Sequence, residues 1–97
     1  MKIPDKLNIL GFDYEVSYDP MLAKTRDIDG IHSPDRQLLI LDAQLLPQNM
    51  VDTFIHELVE TINSRLYLGL DHPTISRLGA GIFQILTTNK LDFGDEA

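Results

Sequence analysis

One long stretch of this sequence has the pattern of an amphipathic helix. Over residues 47–68, apolar side chains recur at intervals of three or four positions. They are Val51, Ile55, Leu58, Val59, Ile62 and Leu66. Pro47 suits the first turn, because proline lacks the backbone N–H that a helix start leaves unbonded, and Gly69 suits the end. The spacing therefore predicts a helix over 47–68 whose apolar face packs on a core.

A second helix is predicted over residues 73–89. Pro73 stands at its first position. The apolar residues that follow again have helical spacing: Ile75, Leu78, Ile82, Ile85 and Leu86. Because the link between the two helices is short, we expect them to be antiparallel neighbours, with Gly79 allowing a close approach of their backbones. Residues 90–97 are expected to form a frayed tail.

Residues 1–46 instead alternate between apolar and polar side chains, which is typical of β-strands. The alternating segments are 7–10, 14–18, 28–32 and 37–41. A turn that begins at Gly11 separates the first two, and a turn that contains Pro34 separates the last two, so the pattern predicts two hairpins in a small antiparallel sheet. A chain of 97 residues supports one core. We therefore predict a single α+β domain over 1–97, with the sheet packed on the two helices.

Charge and composition exclude several classes of protein. The formal net charge is −7, the pI is near 4.6, and the 8 lysines and arginines are scattered. Proteins bind nucleic acids and membrane surfaces through clustered basic side chains, so neither is expected as a partner. No stretch has the apolar character of a signal peptide or a membrane span. The expected location is therefore the cytoplasm.

The motif with chemical potential is His56-Glu57-x-x-Glu60, inside the first predicted helix. Residues four apart share a helix face, so His56 and Glu60 can bind the same divalent ion, and Glu57 can accept a proton from water. The chain has no cysteine, so any metal must be held by histidine and carboxylate. Without a metal, His56 and Glu60 would be a hydrogen-bonded pair and Glu57 a solvated surface acid.

The chain as a whole resembles the small zincin-like proteins encoded by phages and prophages and, more distantly, the minimal gluzincins. The resemblance rests on the β-rich first half, on FIHELVETIN at 54–63, on LDH at 70–72 and on LGAGIFQIL at 78–86. It implies a zinc ion on the two motif residues, a third ligand from the following helix, Glu57 as general base and a bacterial host cell. Zincins carry His-Glu-x-x-His, so in this chain Glu60 replaces the usual second histidine.

The third metal ligand has more than one candidate position. If the helices are antiparallel, Glu60 lies opposite Ala80 and His56 opposite Gln84, where the resemblance leads one to expect a carboxylate. His72 is the nearest remaining donor, and it must return to the metal through a short loop. Alternatively, His72 only begins the second helix. Two histidines and one carboxylate suit zinc but also iron or manganese, so the metal identity stays open.

Other polar and aromatic residues have structural explanations beside the functional ones. His32 is expected mainly as a strand residue next to a turn, with a place in the site as the alternative. Asn63 either orients a ligand or faces water. Phe54, Tyr67 and Phe83 lie at helical spacing and are expected in the core or at its edge.

These observations predict a zincin-type, metal-dependent peptidase with a metal on His56, Glu60 and His72 and with Glu57 as general base. A peptide or protein substrate is expected along the edge of the strand over 37–41. The alternative is a catalytically inactive zincin scaffold that binds another protein through its acidic surface. An acidic mimic of DNA fits the net charge, but the dense acidic runs of such mimics are missing. No segment indicates an interface between copies of the chain.

Overall fold

The computed structural model describes residues 2–91, which form an α+β domain of four strands and three α-helices, as the sequence predicts in outline. In chain order the elements are β1 (Lys6–Ile9), β2 (Phe12–Asp19), α1 (Leu22–Arg26), β3 (Gly30–Ser33), β4 (Leu38–Asp42), α2 (Pro47–Leu66) and α3 (His72–Thr88). A single 3₁₀ turn, Pro34–Arg36, joins β3 to β4. Most of the predicted tail over 90–97 lies outside the described residues.

The sheet is mixed, so the prediction of an antiparallel sheet is wrong. Its strand order is β1-β2-β4-β3, with antiparallel pairs at both ends and a parallel pair, β2 with β4, in the middle. The parallel pair arises because the chain leaves β2 through α1 and reaches the far edge as β3 before β4 returns between them. The alternation pattern carries no information on this crossover.

This strand order also overturns the expectation of a free edge over residues 37–41. β4 has β2 on one side and β3 on the other, so its backbone is bonded on both sides. Among the described strands, β1 and β3 lie at the edges of the sheet.

The core lies between one face of the sheet and α2. In β2 the side chains alternate, with Tyr14 and Val16 buried and their neighbours Asp13 and Glu15 exposed, as expected for a strand with one solvent-exposed face. The buried residues of this core are Ile9, Tyr14, Val16, Leu39, Leu41, Val51, Phe54 and Ile55. Burial of these apolar side chains, each worth roughly 1.5–3 kcal/mol, fixes α2 on the sheet.

α3 runs back along α2 and packs against it through few buried residues. Ile75 and Gly79 are the buried positions of α3. A Cβ added to Gly79 would lie 3.4 Å from the Cα of His56, so the predicted close approach of the two backbones is confirmed. The predicted register between the helices is wrong, because His56 faces Gly79, not Gln84. The short return of the chain brings the start of α3 back to the level of Glu60. Over residues 2–91, no helix combines the length and the apolar character needed to cross a bilayer.

Candidate metal centre

His56 and Glu60 lie one helical turn apart on α2, at the face that meets α3. Nε2 of His56 is 3.3 Å from Oε2 of Glu60, and the two side chains are 22% and 19% exposed. The i, i+4 spacing places them on the same stripe of the helix, as the sequence predicts. Both side chains are therefore partly buried, which limits their freedom.

His72 reaches Glu60 because the link between the helices turns back sharply. α2 ends at Leu66, and Tyr67 adopts the left-handed conformation at the helix end. The side-chain oxygen of Asn63 then accepts a hydrogen bond of 2.9 Å from the backbone N–H of Leu70 and ties the loop to α2. As a result, Nδ1 of His72 lies 3.4 Å from Oε2 of Glu60.

Asp71 fixes the start of α3 and with it the position of His72. Its Oδ1 accepts a hydrogen bond of 2.9 Å from the backbone N–H of Thr74, the usual geometry of an N-cap. Hydrogen bonds from Thr74 hold the pKa of the Asp71 carboxyl below its ordinary value, because they stabilise the ionised form. Asn63 and Asp71 therefore hold the two ends of the loop that returns His72 to α2.

The three side chains could hold a divalent metal ion. One ligand atom from each of His56, Glu60 and His72 lies within 4.8 Å of the others. In a tetrahedral zinc site with ligands at roughly 2.0–2.1 Å, ligand atoms are about 3.4 Å apart. The two distances to Oε2 of Glu60, 3.3 and 3.4 Å, match that separation. Two imidazole nitrogens and one carboxylate oxygen are a donor set that zinc accepts while keeping a fourth position open.

Glu57 lies beside this group and is buried. Its residue exposure is 7%, so the interpretation as a solvated surface acid is wrong. Oε1 of Glu57 is 3.4 Å from Nδ1 of His32, which reaches it from β3. The hydrogen bond and charge of Glu57 raise the pKa of the His32 imidazole above its ordinary value, although partial burial acts in the opposite direction.

Three of the site residues, His56, Glu57 and His72, line an open cavity of about 560 Å³. α2 contributes His56 and Glu57, and α3 contributes His72. The rest of the lining includes Gly30 of β3 and three acidic residues, Asp27, Asp29 and Asp52. The volume lies within the usual range of small-molecule and peptide side-chain sites. His56, His72 and Glu57 therefore share a solvent-connected space in which a substrate can be held, and Glu60 lies beside it through its contacts with the two histidines.

The sequence and the structure agree on part of this site. The structure brings together the three predicted ligands, whose metal-binding role stays a prediction, and it places Glu57 next to them. It does not bring Gln84 or Tyr67 into the site. The contact of His32 with Glu57 is the feature that sequence reasoning missed. The sequence feature that could have indicated this contact is the spacing Gly30-x-His32, which puts both residues on the same face of a strand.

Comparisons with known proteins do not add a family to this description. No family model, curated protein or solved structure matches the chain. The residues and the geometry of the site are therefore the observations that bear on function.

Proposed function

We propose that this chain is a small zincin-like hydrolase that binds zinc through His56, Glu60 and His72 and cleaves peptide bonds with Glu57 as general base. One observation carries the proposal: three suitable donor atoms within 4.8 Å of one another, in or beside a cavity that a buried glutamate also lines. Titratable groups converging in a cleft with potential metal ligands are the usual composition of a hydrolytic site.

A zinc ion held by His56, Glu60 and His72 would supply Lewis acidity toward a carbonyl and would lower the pKa of a bound water molecule. The chain supplies proton transfer and positioning. Glu57 accepts a proton from the attacking water on a carboxylate oxygen, and the protonated acid then donates that proton to the amine nitrogen as the C–N bond breaks. His56, Glu60 and His72 keep their positions throughout.

A peptide substrate is proposed because of the place of β3 next to the cavity. β3 is an edge strand, and its first residue, Gly30, lines the cavity. An extended peptide can add to such an edge through main-chain hydrogen bonds, which would bring its backbone alongside Glu57 and His56. The substrate edge is thus β3, in place of the strand over 37–41.

The test compares three proteins loaded with zinc: the wild type, Glu57→Gln and the control Glu15→Gln. Glu15 lies on the exposed face of β2 and does not line the cavity. Each protein is incubated with a diverse peptide library, and cleavage is read by mass spectrometry. We expect Glu57→Gln to retain zinc and to lose about 10²- to 10⁴-fold in cleavage rate, because glutamine cannot accept the proton. Equal cleavage by Glu57→Gln and Glu15→Gln would contradict the role of Glu57.

Protein binding by a catalytically inactive scaffold is the second candidate function, and one observation favours it. Leu78, Ile82 and Ile85 of α3 are 46%, 41% and 52% exposed and share one face of the helix. Exposed apolar faces of this kind often mark interaction surfaces. This candidate predicts a protein without bound zinc in which Glu57→Gln changes nothing measurable, so the same three proteins separate it from the hydrolase.

A further inference from the structure

The described residues include two buried carboxylates, Asp42 and Glu57, and they differ in the kind of partner that they contact. Asp42, which is 3% exposed, accepts backbone hydrogen bonds from Ala23 and Gln44 and thereby stabilises local chain turns. Glu57 lies instead against a second ionisable side chain, His32, on a different element. A buried carboxylate needs a donor or a positive charge to remain ionised, and here the imidazole is in the position to provide it.

β3 is shaped to receive the Glu57 side chain at two neighbouring positions. A Cβ on Gly30 would lie 3.2 Å from both Cγ and Oε2 of Glu57 and 2.8 Å from Cγ2 of Thr53. The absence of a side chain at Gly30 therefore leaves the space that the carboxylate occupies. Two residues later on the same face of the strand, His32 contacts the other oxygen, Oε1. One carboxylate oxygen thus lies against Gly30, while His32 contacts the other.

The remaining groups around Glu57 do not duplicate this contact. Thr61 donates its hydroxyl to the backbone oxygen of Glu57, which leaves the carboxylate to other partners. His56 and His72 both face the cavity, and their contacts of 3.3 and 3.4 Å are with Glu60. His32, with a side chain 28% exposed, links the buried carboxylate to solvent.

We propose that His32 is the positioning residue of Glu57: its Nδ1–H holds Oε1, so that the carboxylate keeps one orientation toward the cavity. This inference rests on the proposed function, because it assigns to His32 a role in the work of the general base. It adds a residue whose side chain holds the general base and is not among the proposed metal ligands. Groups that orient a catalytic or metal-binding residue in this way typically contribute about 10- to 100-fold to activity or affinity.

Two substitutions at one position test the proposal. His32→Asn retains an N–H donor close to the place of Nδ1, whereas His32→Leu has a similar volume without a donor. For zinc-loaded proteins cleaving the peptide library, we expect His32→Leu to lower kcat about 10- to 100-fold with KM unchanged, and His32→Asn to restore most of kcat. Zinc affinity, measured by calorimetry, should be equal in all three proteins, because His32 is not a ligand.

A measurement without turnover tests the contact itself. The pKa of the His32 imidazole is measured by NMR titration in metal-free wild type and in metal-free Glu57→Gln. In the variant we expect this pKa to lie closer to the ordinary value of histidine. An unchanged titration would overturn the proposal, as would a zinc-loaded His32→Leu protein with the wild-type kcat. Failure of the wild type to bind zinc or to cleave any library peptide would overturn the proposed function, and the positioning role would fall with it.

Discussion

Each of the three histidines of the chain contacts a glutamate of α2. His56 and His72 contact Glu60, and His32 contacts Glu57. The division matters because the two acids then have different roles. In the proposed function, Glu60 shares the metal ion with two imidazoles, whereas Glu57 is held by one imidazole and accepts the proton of the attacking water. The sequence alone predicts the pairing of His56 with Glu60 through its i, i+4 spacing, since both residues share one helix. The pairing of His32 with Glu57 depends on the packing of a strand against a helix, which single-sequence spacing does not encode.

The contact of His32 with Glu57 predicts a pH dependence of stability in metal-free protein. The folded-state pKa of His32 is raised above 6.5, mainly by the hydrogen bond to Glu57 and also by the charges of Glu57 and Glu60. A raised histidine pKa stabilises the folded state fully below the unfolded value, and this stabilisation is lost as pH rises through the folded pKa.

The wild type and His32→Asn are compared by urea unfolding at about pH 5.5 and about pH 8.5, on either side of the ordinary histidine pKa. We expect the free energy of unfolding of the wild type to exceed that of His32→Asn by more at the acid pH. A difference that is constant, or larger at the alkaline pH, would show that protonated His32 does not stabilise the fold.

Among the elements, α2 connects the site to the rest of the fold, and its C-terminal end is fixed by Arg65. Nε of Arg65 donates to the Tyr14 hydroxyl at 2.9 Å, and Nη2 donates to the carbonyl of Pro34 at 3.1 Å. The guanidinium also lies 3.8 Å above the centre of the Phe12 ring. One side chain therefore connects α2 to β2 and to the turn that follows β3, the strand that carries His32.

Replacing Arg65 by methionine should destabilise the fold. Arg65→Met keeps the aliphatic stem but leaves the hydroxyl of Tyr14, a fully buried residue, without its donor partner. We expect urea unfolding of Arg65→Met to show a loss of about 1–3 kcal/mol in the free energy of unfolding, the usual cost of a buried polar group without a partner. The control Arg77→Met changes an exposed arginine of α3 and should alter the free energy of unfolding by less than about 0.5 kcal/mol. Similar losses in the two variants would contradict the account.

The element boundaries show where sequence patterns are informative and where they are not. The periodicity over 47–68 predicts α2, whose observed bounds are Pro47–Leu66. The same periodicity predicts Tyr67 at the core edge, and this is wrong, because the residue lies beyond the last helical turn and is 93% exposed. Phe54 and Phe83, within the two helices, do pack in or against the core. A helical pattern thus predicts burial only as far as the helix itself continues.

In the whole molecule, the candidate metal centre lies at the contact between α2 and α3. The α+β class and the helix pair follow from alternation in the first half and from helical spacing in the second. The parallel pairing of β2 with β4 does not follow, because it depends on the route of the chain through α1 and β3. The sequence does not predict α1 (Leu22–Arg26), since five residues between turns are too few for a periodic signal.

At this position, a bound metal ion would have a structural role as well. α3 buries few residues against α2. The three candidate ligands connect the two helices, because His72 at the start of α3 contacts Glu60 of α2. A ligand that binds only the folded state stabilises it by mass action, by about 2.7 kcal/mol at a concentration one hundred times its dissociation constant. A metal ion at this position would therefore stabilise the packing of α3 on α2.

The central claim is that His56, Glu60 and His72 form a zinc site, and the most direct measurement is the metal content of protein purified without an affinity tag or chelator. Elemental analysis of the wild type, His56→Ala, His72→Ala and the control His32→Asn covers every histidine of the chain. We predict one zinc ion per chain in the wild type and in His32→Asn, and loss of zinc in His56→Ala and His72→Ala. A wild type without zinc after incubation with the ion, or zinc that persists in both alanine variants, would contradict the account.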